Sequence, residues 1–456
     1  MAHVSERLTA TQAGAQHSRS KGSAAGFYDA MDVRSAAERE RALMAALSRQ
    51  VHLAKSAAPA FARSLRDVDP VQVANRDALA RLPVLRKHEE FMGLQAGRSP
   101  SDPFAGFATT RWGRAGARAG VRRVFQSPGP LYEPEGHGAD FERSARAMFA
   151  AGFKPGELVH NTFSYHLTPA GAIMEAGALA LGCTVFPGGT GNTELQLRAI
   201  HDLQPTCYVG TPSFLKQLIE RMQAAGQPRL SFDKALVSGE AFPPIARDWL
   251  RDKGVDAYQC YMTADLGLVA YETSPREGLV VDEGLILEIV RPGTGQPVPD
   301  GEIGEVVVTS LNPDYPLIRF GTGDLSAVLP GQCPTGRTNM RIRGWLGRAN
   351  QTVKVRGMFV GPSQVAEVLV RHPEVTRAQL LVRGTTSESW EADDMLLKAE
   401  VDKPPATLAR QLVEAMREIT KLRCEVELVA VGALPNDGQV IVDERVIAGT
   451  GQAGPG

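Results

Sequence analysis

The chain has 456 residues, 43% of them hydrophobic, and a formal net charge of -1. That length exceeds one ordinary core and implies two or three folding units, and the balanced charge excludes the strongly basic footprint of a nucleic-acid binder. Five scattered cysteines, Cys183, Cys207, Cys260, Cys333 and Cys424, form no C-x-x-C pair, so neither a zinc knuckle nor a disulfide framework is indicated and a reducing cytoplasm fits.

In chain order, residues 1–26 lack an apolar core, so they read as neither a signal peptide nor a membrane span but as a flexible lead-in. The tail 448–456 reads the same way. Helical periodicity runs from about Val33 to Leu65. VRRVFQSPGPLYEPEG has the pattern of a strand ending in a Pro/Gly turn, and FERSARAMFAAGF that of an amphipathic helix closed by Gly152. The apolar stretch from Gly171 to Phe186 is short, carries Glu175 and ends in Pro and Gly, which predicts a buried helix running into a strand rather than a membrane helix. Between Leu158 and Phe242, strands alternate with helices, the pattern of parallel βαβ units with both faces covered. In such sheets ligands bind beyond the carboxyl ends of the strands. After Tyr271 the segments LVVDEGLILEIV, GEIGEVVVTS and LIRFGTGDL predict a β-rich subdomain. From near Arg348 a unit of small α+β size follows, beginning with a strand over QTVKVRGMFV.

Three segments carry the chemical signal: SGEAF at Ser238 to Phe242, FGTGDL ending at Leu325, and GRANQTVKVRG at Gly347 to Gly357. In that order, with PLIRFGTGDL, KVRGMFVGPSQV and GEIGEVVVTSL around them, the chain resembles the adenylate-forming superfamily, and within it the phenylacetate-CoA ligase group, over roughly Val124 to Val446. The resemblance implies an α/β fold: a large N-terminal adenylate-forming domain (27–346) with parallel sheets and a β-rich subdomain, joined by a hinge to a small, mobile α+β C-terminal domain (347–447). It implies ATP, Mg2+ and coenzyme A as cofactors and a small carboxylic acid as substrate, aryl acids favoured. No nucleic acid or membrane partner is implied, and a homodimer is left open.

Residue by residue, the resemblance assigns Asp324 to the ribose hydroxyls, where two carboxylate oxygens suit a vicinal diol, and Arg348 to the same ribose. Gly239 and Glu240 match the turn lying along adenine. Thr263, in CYMTADLGL, matches a threonine that meets the α-phosphate. The acidic Mg2+ contact expected after it is Ala264, so Asp265, displaced by one, is the candidate metal ligand. Lys354 matches a lysine turned toward the thioester-forming site. Tyr165 and His166 are the expected wall or gate of the acid pocket, with Phe163 and Phe214 as lining or plain core.

Two departures fall on the phosphate side. Where the family has approximately S-S-G-T-T-G-K-P, this chain reads QSPGPLYEPE: Pro128 and Pro130 remove backbone donors, the lysine is missing, and Glu133 and Glu135 add negative charge. Arg122 and Arg123 are the nearby cations, of which a strand points at least one away. Near the C-terminus a Gly-Lys pair is replaced by Gly438-Gln439, and Gln439 cannot offset phosphate charge. Smaller departures are Gly321 in place of an arginine and Asn350 in place of the hinge aspartate. The expected function is an AMP-forming acyl- or aryl-CoA ligase. The alternatives are a catalytically impaired nucleotide-binding homologue, or an adenylating enzyme with a carrier-protein or amine acceptor.

Overall fold

A computed structural model describes residues 26–445 except 111–119, 128–129, 227–230, 241, 350, 352, 357, 385–392, 403 and 436–438, with backbone only at 88, 89, 354, 359 and 363. Both expected flexible ends lie essentially outside the described residues, as do Pro128, Gly129, Asn350 and Gly438.

The expected alternation of strand and helix builds a nine-stranded sheet among the described residues. Its strands Asp256–Thr263, Lys234–Val237, Cys207–Gly210, Leu158–Asn161 and Thr184–Pro187 run parallel in that spatial order. Helices Ala170–Leu181, Thr193–Leu203, Pro212–Ala224 and Pro244–Asp252 make the crossovers. Buried Val159, Val209, Leu236 and Ala235 sit on strands covered on both faces, which explains their apolar runs. Close packing reaches its limit at Gly177 of the first helix, where a Cβ would fall 2.0 Å from Ser144 Oγ. The sheet continues antiparallel through Gly267–Glu272, Leu279–Val281, Arg341–Ile342 and Val328–Leu329.

The β-rich part is a second sheet of four strands, in the order Leu85–Arg86, Phe320–Ser326, Gly304–Ser310, Leu285–Val290. LVVDEGLILEIV is thus two strands in two sheets, parted at the turn carrying Asp282 and Gly284. The N-terminal helical segment also divides, into Ala36–Ala57 and Pro59–Ser64, because Pro59 has no N–H to continue the first helix. Its buried Leu43, Leu47, Val51 and Phe61 share one core with Ile286, Val308 and Phe320 of the second sheet. Arg319, 1% exposed, locks this union: it bonds Glu288 and donates to the carbonyls of Ala80 and Gly295 at 2.8 and 2.7 Å. Arg319 thus gives the IRFGTGD run a structural role.

Beyond Gly347 the C-terminal part has its own core, drawn from Val353, Val360, Val365, Leu380, Leu397, Leu412 and Met416 among others. Helices Pro362–Arg371 and Leu408–Thr420 pack on a four-stranded sheet ordered Glu425–Val429, Asp393–Glu400, Arg377–Gly384, Ile441–Asp443. The single strand expected over QTVKVRGMFV is instead a hairpin, Val353–Val355 with Met358–Val360, turning at Arg356 with φ of 47°.

Candidate active site

At the carboxyl ends of the parallel strands, Gly239 and Glu240 follow Lys234–Val237, whereas Asp324 lies on strand Phe320–Ser326 of the second sheet. After strand Lys234–Val237, Gly239 takes φ of 85°, a conformation that costs a side-chain-bearing residue about 1 kcal/mol. Ser238 Oγ donates to the Cys260 carbonyl at 2.8 Å, and Glu240 accepts from the Ser213 N–H at the start of helix Pro212–Ala224. The turn is thus pinned to the strand and helix beside it.

Asp324 is 8% exposed and fully engaged. Its Oδ1 accepts from Arg348 Nη1 at 2.6 Å and Trp345 Nε1 at 2.9 Å, and its Oδ2 from the Tyr261 hydroxyl at 2.7 Å. A β-bridge between Asp324 and Arg348, with Ala349 N–H donating to the Gly323 carbonyl at 2.8 Å, straps the 346–349 segment to strand Phe320–Ser326. Burial, then the Asp324 charge, pushes the Tyr261 hydroxyl well above its usual range, so it stays a donor. The structure brings Asp324 and Arg348 together as expected and adds Tyr261 and Trp345, which sequence reasoning missed. Trp345, two residues upstream of the GRANQTVKVRG segment, was the available signal.

The acid-side residues divide. Phe163 is buried in the core with Met174, Val209 and Leu236, and Phe214 packs against the neighbouring core. Tyr165 accepts from Asn161 Nδ2 at 2.7 Å and donates to Glu175, and burial raises its pKa. Asn161, wholly buried, also reaches the Gly171 carbonyl at 2.8 Å. Tyr165 is therefore clamped in place by Asn161. His166 is exposed.

On the phosphate side, VRRVFQSPGPLYEPE is not one strand but a hairpin, Arg123–Ser127 paired with Leu131–Glu135. The two arginines answer Glu135 alone: Arg123 holds it through both oxygens, and Arg122 lies 3.7 Å from it. Glu133 is buried, and its Oε1 accepts from Ser127 Oγ. Burial, then the charge of Asp265, pushes its carboxyl up to about 8. Asp265, its side chain fully enclosed, accepts from Lys87 Nζ at 2.6 Å. Lys87 opens a π-helical turn, Lys87–Phe91, after strand Leu85–Arg86. It was not anticipated, and nothing in its local sequence marks it. Thr263 Oγ1 accepts from the Leu266 N–H at 3.1 Å, a turn cap, so in this geometry Asp265 rather than Thr263 is the side chain joined to the cluster. At Gly321 a Cβ would fall 2.8 Å from Glu305 Oε1. Arg86, its partner in register on the adjacent strand, supplies the local cation 3.7 Å from Glu305.

In the C-terminal part, Lys354 lies in the hairpin strand Val353–Val355, its side chain outside the described atoms. Gln439 is exposed, and its carbonyl accepts from Gln379 Nε2 at 2.9 Å.

Residues 144–312 match the family model described as AMP-binding enzyme. A phenylacetate-coenzyme A ligase of Thermus thermophilus is 32% identical over 390 residues, covering 80% of this chain and 83% of that protein. The chain belongs to the phenylacetate-CoA ligase family. Members of this family are AMP-forming acid–thiol ligases, and the phenylacetate-coenzyme A ligase of Escherichia coli K12 is 30% identical over 67% of this chain and 73% of its own. The fold matches crystal structures of 2-hydroxyisobutyryl-CoA ligase at 22% identity. The TM-score is 0.75, over 91% of this chain and 92% of that one, for the form with acyl-AMP and CoA in the thioesterification state. It is 0.65 for the postadenylation form.

Proposed function

We propose that this protein joins a carboxylic acid, aryl acids favoured, to the thiol of coenzyme A by way of an acyl-adenylate. An acid oxygen attacks the α-phosphorus of ATP and pyrophosphate leaves. The CoA sulfur, losing its proton, then attacks the acyl carbon and AMP leaves. The Asp324–Arg348–Tyr261–Trp345 cluster carries this reading, because it fixes a pair of carboxylate oxygens beside Tyr261, near the carboxyl end of a strand of the parallel sheet.

In this reading Asp324 and Arg348 hold the ribose, the Gly239–Glu240 turn lies along adenine, and Asn161 fixes Tyr165 as one wall of the acid pocket. Lys87 supplies fixed positive charge beside the phosphates, where charge develops as pyrophosphate departs. Mg2+ would be held by Asp265, whose hard, enclosed oxygens suit it, and when bound it neutralises phosphate charge. Gly347 begins the hinge, and a rotation of the C-terminal part exchanges Gln439 for the Lys354 hairpin at the site. The relatives named above are CoA ligases, which favours CoA over a carrier protein or an amine. Among the described residues no helix is long and apolar enough to cross a membrane, and a cytoplasmic location is part of the proposal.

The test incubates the protein with ATP, Mg2+, CoA and a pool of aryl and short aliphatic acids, with mass spectrometry of the products. One acid yielding both AMP and its CoA thioester supports the reading. AMP binding without either product defeats it.

A further inference from the structure

A cavity of about 480 Å3 opens at the end of the nine-stranded sheet opposite the Gly239 turn, away from every residue assigned to the reaction. Strand Gly267–Glu272 starts beside Thr263 and runs antiparallel to Asp256–Thr263, so it carries Thr273 and Ser274 to the amino ends of the parallel strands. The cavity's apolar walls are Phe27, Phe149 and Phe153. Lys154 and Arg337 are its charged lining residues, both cations, and no carboxylate lines it. Lys154 is exposed at the rim, whereas Arg337 is only 5% exposed. Arg337 Nη1 donates to Thr335 Oγ1 at 3.1 Å and Nη2 to the Gly26 carbonyl at 3.0 Å, but the enclosed Nε–H has no hydrogen-bond acceptor. Asp32 forms an ion pair with that nitrogen at 3.5 Å, yet its oxygens are committed elsewhere: Oδ1 accepts from Arg146, and Oδ2 from the Tyr28 N–H at 2.9 Å. The guanidinium lies over the Phe27 ring, 5.3 Å from its centroid, so the charged and apolar walls meet.

We propose that this cavity is a second ligand site, which binds a small carboxylate with an aromatic or similarly apolar body. The anionic head sits on Arg337 and Lys154, and the body lies against the three phenyl rings. A buried charged donor left without an acceptor costs about 1–3 kcal/mol or more, and a carboxylate oxygen on the Nε–H removes that cost. A guanidinium is weakly hydrated and shaped to meet a carboxylate, so it suits a partly apolar site. Free phosphate fits less well, because phenyl walls offer its remaining oxygens no donors. The volume falls in the range of roughly 300–1,000 Å3 usual for small-ligand pockets, which are mostly apolar with a few polar groups that set orientation. Residues 1–25, which precede Gly26 in the chain, carry Arg7, Arg19 and Lys21 against Glu6 alone, so their charge is the wrong sign to satisfy two cations. The site stands apart from the ligase chemistry and holds whether or not that reading does.

The test titrates 4-fluorobenzoate into the full-length protein and reads the bound fraction by fluorine NMR. A saturating non-hydrolysable acyl-adenylate analogue is present, so that an acid pocket near Tyr165 does not contribute. Saturable binding is expected, and its absence overturns the site. The neutral isostere 4-fluorobenzamide is expected to bind about tenfold more weakly or worse, since it brings no charge to the two cations. Equal binding of the two overturns the anionic head. Arg337→Met is expected to weaken 4-fluorobenzoate by about tenfold or more. Because Arg337 also ties down Gly26 and Thr335, thermal melting checks that this variant is folded. Ser274→Glu, an exposed position on the cavity wall, keeps the proposal falsifiable if it is not. The added carboxylate should weaken binding by about fivefold or more through like-charge repulsion. A folded Ser274→Glu that binds 4-fluorobenzoate as the parent does places the probe elsewhere and overturns the site. Product formation by the parent is measured in a separate assay, so loss of the ligase reading and loss of this site are told apart.

Discussion

Asp324 and Asp265 are both buried aspartates on the nucleotide side, yet their surroundings differ. Asp324 has three donors on two oxygens and sits in the middle of a strand locked to the 346–349 segment. Asp265 has one ammonium on one oxygen and an orphan on the other, beside a glutamate whose proton is held up to about pH 8. Asp324 has partners on both oxygens within the protein, whereas Asp265 and Glu133 each keep one enclosed oxygen without a partner. A closed polar network rigidifies a fold, and a partly satisfied one stores an electrostatic imbalance that a ligand can relieve.

This contrast can be broken at either end. The largest effect is expected from Asp324→Ala, which leaves Arg348, Tyr261 and Trp345 facing an empty centre. Stability should fall by about 3–5 kcal/mol in urea denaturation, with AMP affinity lost alongside. A loss under about 1 kcal/mol would mean the cluster is not the closed unit described. Next, Lys87→Met should lower acyl-adenylate formation by roughly 10² to 10³. CoA transfer from supplied acyl-adenylate should change far less, and equal losses in both steps would remove Lys87 from the phosphate side. Gln439→Lys should raise adenylation by about tenfold, read as pyrophosphate release, since it restores a cation that the rotated C-terminal part can present. An unchanged rate in a folded variant would show that Gln439 does not reach the phosphates.

The smallest effect concerns His160, buried on strand Leu158–Asn161 and stacked on Phe186. Burial lowers the His160 pKa, although Gln196 pulls it up. An unfolded His160 then takes a proton near pH 6.5 that the folded one refuses. Stability from this group is present above that pH and declines as pH drops through it. His160→Gln should flatten the stability profile between pH 7 and 5, and an identical profile would assign the slope to other groups.

Much of the fold was legible because alternating strands and helices leave a local period. The parallel strands and the C-terminal unit followed from it. The β-rich region was misjudged at turns: LVVDEGLILEIV reads as one run, and only the demand for two sheets splits it at Gly284. The hairpin over Pro128 was hidden because prolines and glutamates resemble the end of a strand more than its reversal. Asp324 and Arg348 were paired by the family resemblance, which assigned both to one ribose, and the structure places them in contact. The phosphate side could not. Lys87 and Asp265 are 178 residues apart and are joined by the second sheet's packing, which leaves no local pattern. Phe163 went to the core because burial competes for the same aromatic residues that line pockets.

The hairpin and the acid loop are also tied to each other. The N–H of Gln126 donates to the carbonyl of Leu167 at 2.9 Å, with Leu167 held at φ of 65°. Any engineer grafting a lysine-bearing loop between Ser127 and Leu131 would have to carry residues 163–168 in the same transplant. Under the proposed function a change in either segment is felt by the other, so nucleotide handling and acid choice do not vary independently.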